Sequence, residues 1–171
     1  MEQLDDLGLA AYNALPVDRA VEALLACCSS GRWAGMMIEG RPYASADEVY
    51  KAADAAMADL TEADIDEALA GHPRIGERPG AGHSAWSNRE QASVANATDD
   101  TLGALAEANR AYEERFGHVY VVCATGKSAD ELLAILNKRL ENDPATERRV
   151  VRAELGEINR IRLERMLGEG T

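Results

Sequence analysis

Gly117-His118-Val119-Tyr120-Val121-Val122-Cys123-Ala124-Thr125-Gly126-Lys127-Ser128-Ala129-Asp130-Glu131 is the stretch that decides the fold. Its first half is a β-prone run bounded by Gly117 and the Thr125-Gly126 turn. Its second half is a helix start, because Ser128 and Glu131 have the spacing of a capping box, in which two side chains satisfy exposed backbone amides. A lone extended run has no sheet to join, so residues 119–123 are either an isolated extended segment or a buried stub. Their backbone groups then need partners other than a neighbouring strand, a bound ligand among them.

Working outward, the same helix signal recurs. Ser45 precedes Glu48 and Ser87 precedes Glu90 at the same spacing, and Thr61 with Asp64 is a weaker version. The pattern predicts helices over residues 3–14, 17–29, 46–58, 62–70, 88–96, 99–115, 129–141 and 144–167. Aromatic residues are only 5% of the chain and alanine is abundant, which disfavours a sheet-dominated fold. The expectation is an all-α protein: one compact domain over residues 1–171, of about eight helices, with a short extended segment near 119–123.

Charge and composition exclude whole classes of function. Asp and Glu number 30 against 18 Lys and Arg, a formal net charge of −12, which argues against a protein that neutralises phosphates along nucleic acid. Hydrophobic content of 46% is that of a soluble globular protein, and no stretch reaches the length of a membrane span. Cys27, Cys28 and Cys123 make neither a disulfide framework nor a CxxC zinc or redox spacing. Met1-Glu2-Gln3-Leu4-Asp5-Asp6 lacks the basic start and apolar run of a secretory signal, and Gly168-Glu169-Gly170-Thr171 is no peroxisomal address. A cytoplasmic protein that binds neither membrane nor nucleic acid is expected.

Three places could carry chemistry. The last helix presents Val151, Leu155, Ile158 and Met166 at helical spacing, and position 162 on that stripe is an arginine. A core-facing guanidinium must be paired, or snorkel to water, or bind an anion at the floor of a pocket. Residues 71–86 hold Gly71, Pro73, Gly76, Pro79, Gly80 and Gly82 with His72 and His83, a long loop of the kind that is functional or mobile. His72 precedes Pro73, which restricts where the imidazole points; it is a candidate acid or base, or a dipole partner at a helix end. Ser87-Asn88-Arg89-Glu90-Gln91 reads first as a helix cap, yet Glu90 and Gln91 could present an acceptor and an amide side by side to a polar heterocycle. No two of the three histidines have metal-ligand spacing, and phosphate-loop and nucleophile-elbow motifs are missing.

In order along the chain, Ser30-Gly31-Arg32-Trp33-Ala34, Arg41-Pro42-Tyr43, His72-Pro73-Arg74-Ile75-Gly76 and Trp86-Ser87-Asn88-Arg89-Glu90-Gln91 resemble the 2-oxo-4-hydroxy-4-carboxy-5-ureidoimidazoline (OHCU) decarboxylases. Asn109-Arg110-Ala111-Tyr112, Arg115-Phe116-Gly117-His118-Val119-Tyr120, Ala124-Thr125-Gly126-Lys127-Ser128 and residues 157–163 extend the resemblance over nearly the whole sequence. It implies an enzyme of urate degradation that decarboxylates OHCU to (S)-allantoin without a cofactor or metal, with this small molecule as its partner. It also implies a homodimer.

Carried over residue by residue, the resemblance makes His72, Glu90 and Arg162 catalytic. It makes Pro73, Ser87 and Gln91 substrate-binding, together with main-chain groups of Val119, Tyr120, Val121 and Val122. His118 stands where many members have an aromatic such as Phe, so its ring is expected to pack, and the Pro79-Gly80-Ala81-Gly82-His83 stretch is expected at a mobile edge of the site. Two other readings stay open: a non-catalytic acidic helical binding module, in which Arg162 meets a core carboxylate, and a related ureide-processing lyase.

Overall fold

The computed structural model describes residues 4–77 and 85–169. Among them are nine α-helices and no strand. They are α1 (Leu9–Ala14), α2 (Val17–Cys27), α3 (Gly31–Glu39), α4 (Ala46–Asp59), α5 (Glu62–Ala70), α6 (Ala85–Glu90), α7 (Asp99–Phe116), α8 (Ala129–Arg139) and α9 (Pro144–Met166), with a 3-10 turn at Ala92–Asn96. The all-α expectation is met. None of these helices is long and apolar enough to cross a membrane.

Several helix starts are the ones the caps announce. Ser45 Oγ accepts from Glu48 N–H and Ser128 Oγ from Glu131 N–H, each at 3.2 Å. Thr61 and Asp64, the weaker pair on sequence, form the full reciprocal box: Thr61 Oγ1 accepts from Asp64 N–H at 3.2 Å and Asp64 Oδ2 from Thr61 N–H at 2.9 Å. Asp143 caps α9 ahead of Pro144, accepting from Thr146 N–H at 2.8 Å.

Two readings are corrected. Helix α3 was not expected, since Gly31 and Gly35 dilute its propensity. Packing supplies what propensity lacks: α3 lies against α2 and α4 and buries Trp33, Ala34 and Met37, with the Trp33 indole donating to Ala53 O at 3.3 Å. Ser87 does not cap a helix over residues 88–96. It lies inside α6, which begins at Ala85, because Trp86, Ser87 and Glu90 must share one buried face.

Two compact units divide the chain: Met1–Gly71 with Leu155–Thr171, and His72–Glu154. In the first, Tyr12, Leu24, Trp33, Met37, Ile65, Leu155 and Leu163 are fully buried. Its Arg41-Pro42-Tyr43 motif ties the loop after α3 to α1: Arg41 Nη1 donates to Tyr12 O at 2.7 Å, and Asn13 exchanges two 2.9 Å hydrogen bonds with the Tyr43 backbone. In the second unit Ile75, Leu105, Tyr112, Tyr120, Val122, Leu132 and Leu136 belong to one apolar core. Tyr120, Val122 and Ala124 enter that core and Val121 and Cys123 do not, which is the two-residue period of an extended chain.

Candidate active site

His72 opens the second unit, directly after Gly71 ends α5, and its ring is partly buried, as is Pro73. The loop it belongs to is held from several directions. Gly76 N–H donates to Gln91 Oε1 at 2.9 Å, and Asn109 Nδ2 on α7 donates to Ile75 O at 2.8 Å from a buried position. Arg74 Nε lies 3.1 Å from both oxygens of Glu113, a forked pair that raises the Arg74 pKa. Ile75 is buried in the core, and Gly76 takes φ +85°, a conformation in which any other residue would be strained. These contacts fix the backbone that carries His72.

Ser87 and Glu90 are buried on α6, and Gln91 follows at its end. The Gln91 amide oxygen faces its own protein rather than a ligand, while Nε2 makes only a 3.5 Å contact to Arg74 O. Gln91 therefore keeps a donor available while its acceptor pins the histidine loop.

The extended segment is anchored on one side. Val121 O accepts from Arg139 Nη1 at 2.6 Å, Cys123 N–H donates to Glu154 Oε2 at 3.0 Å, and Cys123 O accepts from Lys127 Nζ at 2.7 Å. Arg139 itself is 5% exposed and Glu147 0%. Arg139 Nε donates to both Glu147 oxygens at 3.0 and 2.9 Å, and Nη2 lies 2.8 Å from Oε2. Tyr112 OH at 2.7 Å and Asn142 Nδ2 at 3.2 Å complete the carboxylate. Burial, and then the hydrogen bond to Glu147, push the Tyr112 hydroxyl well above its usual pKa. Burial alone would lower the Arg139 pKa, but the Glu147 carboxylate outweighs it and holds the guanidinium above its usual value.

Sequence reasoning passed over Arg139, Glu147 and Asn109. The signal was present: Leu132, Leu136 and Arg139 lie on one buried face of α8, and Glu147 heads the same stripe of α9 as Val151 and Leu155. That is the reading that drew attention to Arg162, applied to one helix only.

Arg162 lies in the first unit and is buried, as its place on the apolar stripe implies. Its Nη1 donates to Cys27 O at 3.1 Å and reaches Ala26 O at 3.5 Å, the carbonyls that close α2. The cation thus complements the negative end of that helix. His118 packs as expected, edge-on to Tyr112 with ring centroids 5.5 Å apart and its Nδ1 3.0 Å from Val119 O. His83 and its Pro-Gly stretch lie outside the described residues.

Two further features complete the geometry. A cleft of about 390 Å³ beside the loop is lined by Arg74, Asn109, Arg110 and Glu113 and by none of His72, Ser87, Glu90 or Gln91. Among the described residues no group of three His, Cys, Asp or Glu is arranged to hold a metal.

Fold and site define a class first: an all-helical chain whose second unit locks a histidine loop against a short helix with a buried serine and glutamate. A model of the OHCU decarboxylase family matches residues 13–164, and the chain belongs to that family. It is 26% identical over 161 residues to 2-oxo-4-hydroxy-4-carboxy-5-ureidoimidazoline decarboxylase of Haloferax volcanii, covering 94% of this chain and 96% of that protein. It is 29% identical over 148 residues to the uric acid degradation bifunctional protein TTL of Arabidopsis thaliana, covering 84% of this chain but only 46% of that longer protein. Among solved structures, an OHCU decarboxylase crystallised in the presence of (S)-allantoin superposes with a TM-score of 0.74 at 26% identity, over 84% of this chain and 95% of that one.

Proposed function

We propose that this chain decarboxylates OHCU to (S)-allantoin, the step that follows urate oxidation and hydroxyisourate hydrolysis. The observation that carries the reading is the match along nearly the full length of the Haloferax decarboxylase. The chemistry is within reach of the side chains present. Loss of carbon dioxide breaks one carbon–carbon bond and leaves its electron pair on the ring carbon, where the adjacent imine accepts it. The protein must orient the carboxylate for cleavage, stabilise the charge that moves into the ring, and protonate one face.

His72 is assigned the hydroxyl and carboxylate region as the proton-handling group. A histidine carried on a pinned backbone suits that task, since proton transfer depends on geometry first. Glu90 and Gln91 are assigned the ring and ureido nitrogens, Ser87 and Pro73 the neighbouring contacts, and Arg162 an anionic or carbonyl oxygen. Main-chain groups of residues 119–122 supply the remaining polar contacts. Shielding of one face then gives a single enantiomer, and no step in this scheme calls on a cofactor. Following the family, the chain is assigned to the cytoplasm and a homodimeric state; light scattering of the purified protein checks the latter.

Substitution of His72 by Ala or Asn tests the mechanism. Turnover should nearly vanish while circular dichroism and melting temperature stay those of the parent; near-normal turnover removes His72 from the chemistry.

A further inference from the structure

Arg139 and Glu147 form a buried ion pair in the second unit that has no part in the roles assigned so far. Taking two charges out of water is costly, and a pair used only as a staple could be replaced by apolar side chains without loss. Here the guanidinium has a second engagement: beyond Glu147 it reaches out of its ion pair to the carbonyl of Val121, at 2.6 Å. It also lies over the Tyr120 ring, 4.9 Å from its centroid, while the Tyr120 hydroxyl donates to Leu132 O at 3.1 Å on α8. Both residues of the extended run that flank the 120–121 peptide are therefore gripped from α8.

Peptide geometry gives the consequence. In a planar trans peptide the C=O of one residue and the N–H of the next point in opposite directions. Fixing Val121 O on the guanidinium therefore aims Val122 N–H directly away from it. Among the described residues, the main-chain N–H and C=O of both Tyr120 and Val122 take part in no hydrogen bond, although these residues are only 1% and 3% exposed. Residues 121 and 123 engage the protein and residues 120 and 122 do not, in step with the alternation of their side chains. Buried backbone groups are almost always paired, so a buried edge with two unpaired donors and two unpaired acceptors is an edge shaped for a ligand. A cyclic ureide, which carries N–H and C=O groups side by side, is the matching chemistry.

We propose that Arg139 is a positioning residue for decarboxylation: by holding the Val121 carbonyl it aims the Val122 N–H at the ring atom on which charge collects. This rests on the reading of the chain as an OHCU decarboxylase. A cation on the carbonyl oxygen also polarises the peptide and strengthens its N–H as a donor, so the amide stabilises the electron pair released by carbon dioxide better than an ordinary amide would. Glu147, itself held by Tyr112 OH and Asn142 Nδ2, holds the guanidinium in the orientation that reaches Val121.

Two variants separate positioning from stapling. Arg139→Lys keeps the charge beside Glu147 but lacks the planar fork that grips a carboxylate and a carbonyl together. The double substitution Arg139→Met with Glu147→Leu removes both charges and leaves apolar packing in their place. In either, provided melting curves show a folded chain, kcat should fall on the order of 10²-fold with KM little changed, as for a misplaced catalytic contact. In the unaltered protein, (S)-allantoin should move the Val122 amide proton downfield in NMR, and in Arg139→Lys this shift should be lost. A folded variant with wild-type kcat overturns the inference, as does a Val122 amide unmoved by allantoin in the unaltered chain; the titration decides the matter even where both variants unfold. An unaltered protein that fails to accelerate OHCU decay overturns the functional reading itself. If the protein is active, His72→Ala is dead and folded Arg139 variants are fully active, only the role of Arg139 is lost.

Discussion

Gln91 and Asn109 each use one amide group to fix the backbone that carries His72. Asn109→Leu keeps the size of the side chain and leaves Ile75 O buried without its donor, which should cost about 1–3 kcal/mol in urea unfolding and lower kcat more than it raises KM. Gln91→Leu frees Gly76 N–H and should cost activity even though Glu90 remains. Arg162→Met removes the donors at the end of α2, so it should lower the melting temperature as well as turnover; unchanged melting would show that the contacts to Cys27 O and Ala26 O contribute nothing to stability. At this scale the sequence was legible where a charged residue interrupts an apolar stripe, as at Arg162. The positioning amides were not, because an asparagine on a helix looks the same whether it faces water or a loop carbonyl 34 residues away in sequence. Gln91 shows the same limit: its type suggested a heterocycle, and only the fold reveals that its oxygen is already engaged.

Helix ends are the best-read elements of this chain. α7 closes at Gly117, whose φ of +79° lets its N–H reach Glu113 O at 2.8 Å. A Cβ there meets nothing within 4 Å, so Gly117→Ala should cost only the conformational strain of about 1 kcal/mol, measurable by urea denaturation. Asp143 accepts first from the Thr146 backbone and then from its hydroxyl, which holds its carboxyl below the ordinary range. A depressed folded pKa means the stabilisation is complete above the ordinary value near 4 and is lost as pH falls through the lowered one. Asp143→Asn should therefore flatten the acid limb of stability against pH while keeping the cap; an unchanged limb contradicts this. Caps are legible because they are local and chemical. Helix α3 is not legible because its stability comes from Trp33 and Met37 packed between two other helices, and α6 begins three residues before the expected start at residue 88 because Ser87 mimics a cap while its burial decides its place.

For the whole molecule, the net charge of −12 and an anionic substrate act against each other. Raising ionic strength should therefore raise kcat/KM rather than lower it, since screening weakens long-range repulsion more than contacts inside the site; a steep fall with salt would mean that attraction is long-ranged after all. All-helical architecture was readable from the chain because only one β-prone run exists in it, and that same run supplies the unpaired main-chain edge. Its anchoring was not readable, since it depends on α8 and α9 arriving from distant sequence. The central claim is tested most directly by generating OHCU in situ from urate with a urate oxidase and a hydroxyisourate hydrolase, adding this protein, and following optical activity. The account predicts rapid appearance of the optical rotation of a single enantiomer, matching authentic (S)-allantoin; allantoin that forms no faster than without the protein, and stays racemic, contradicts it.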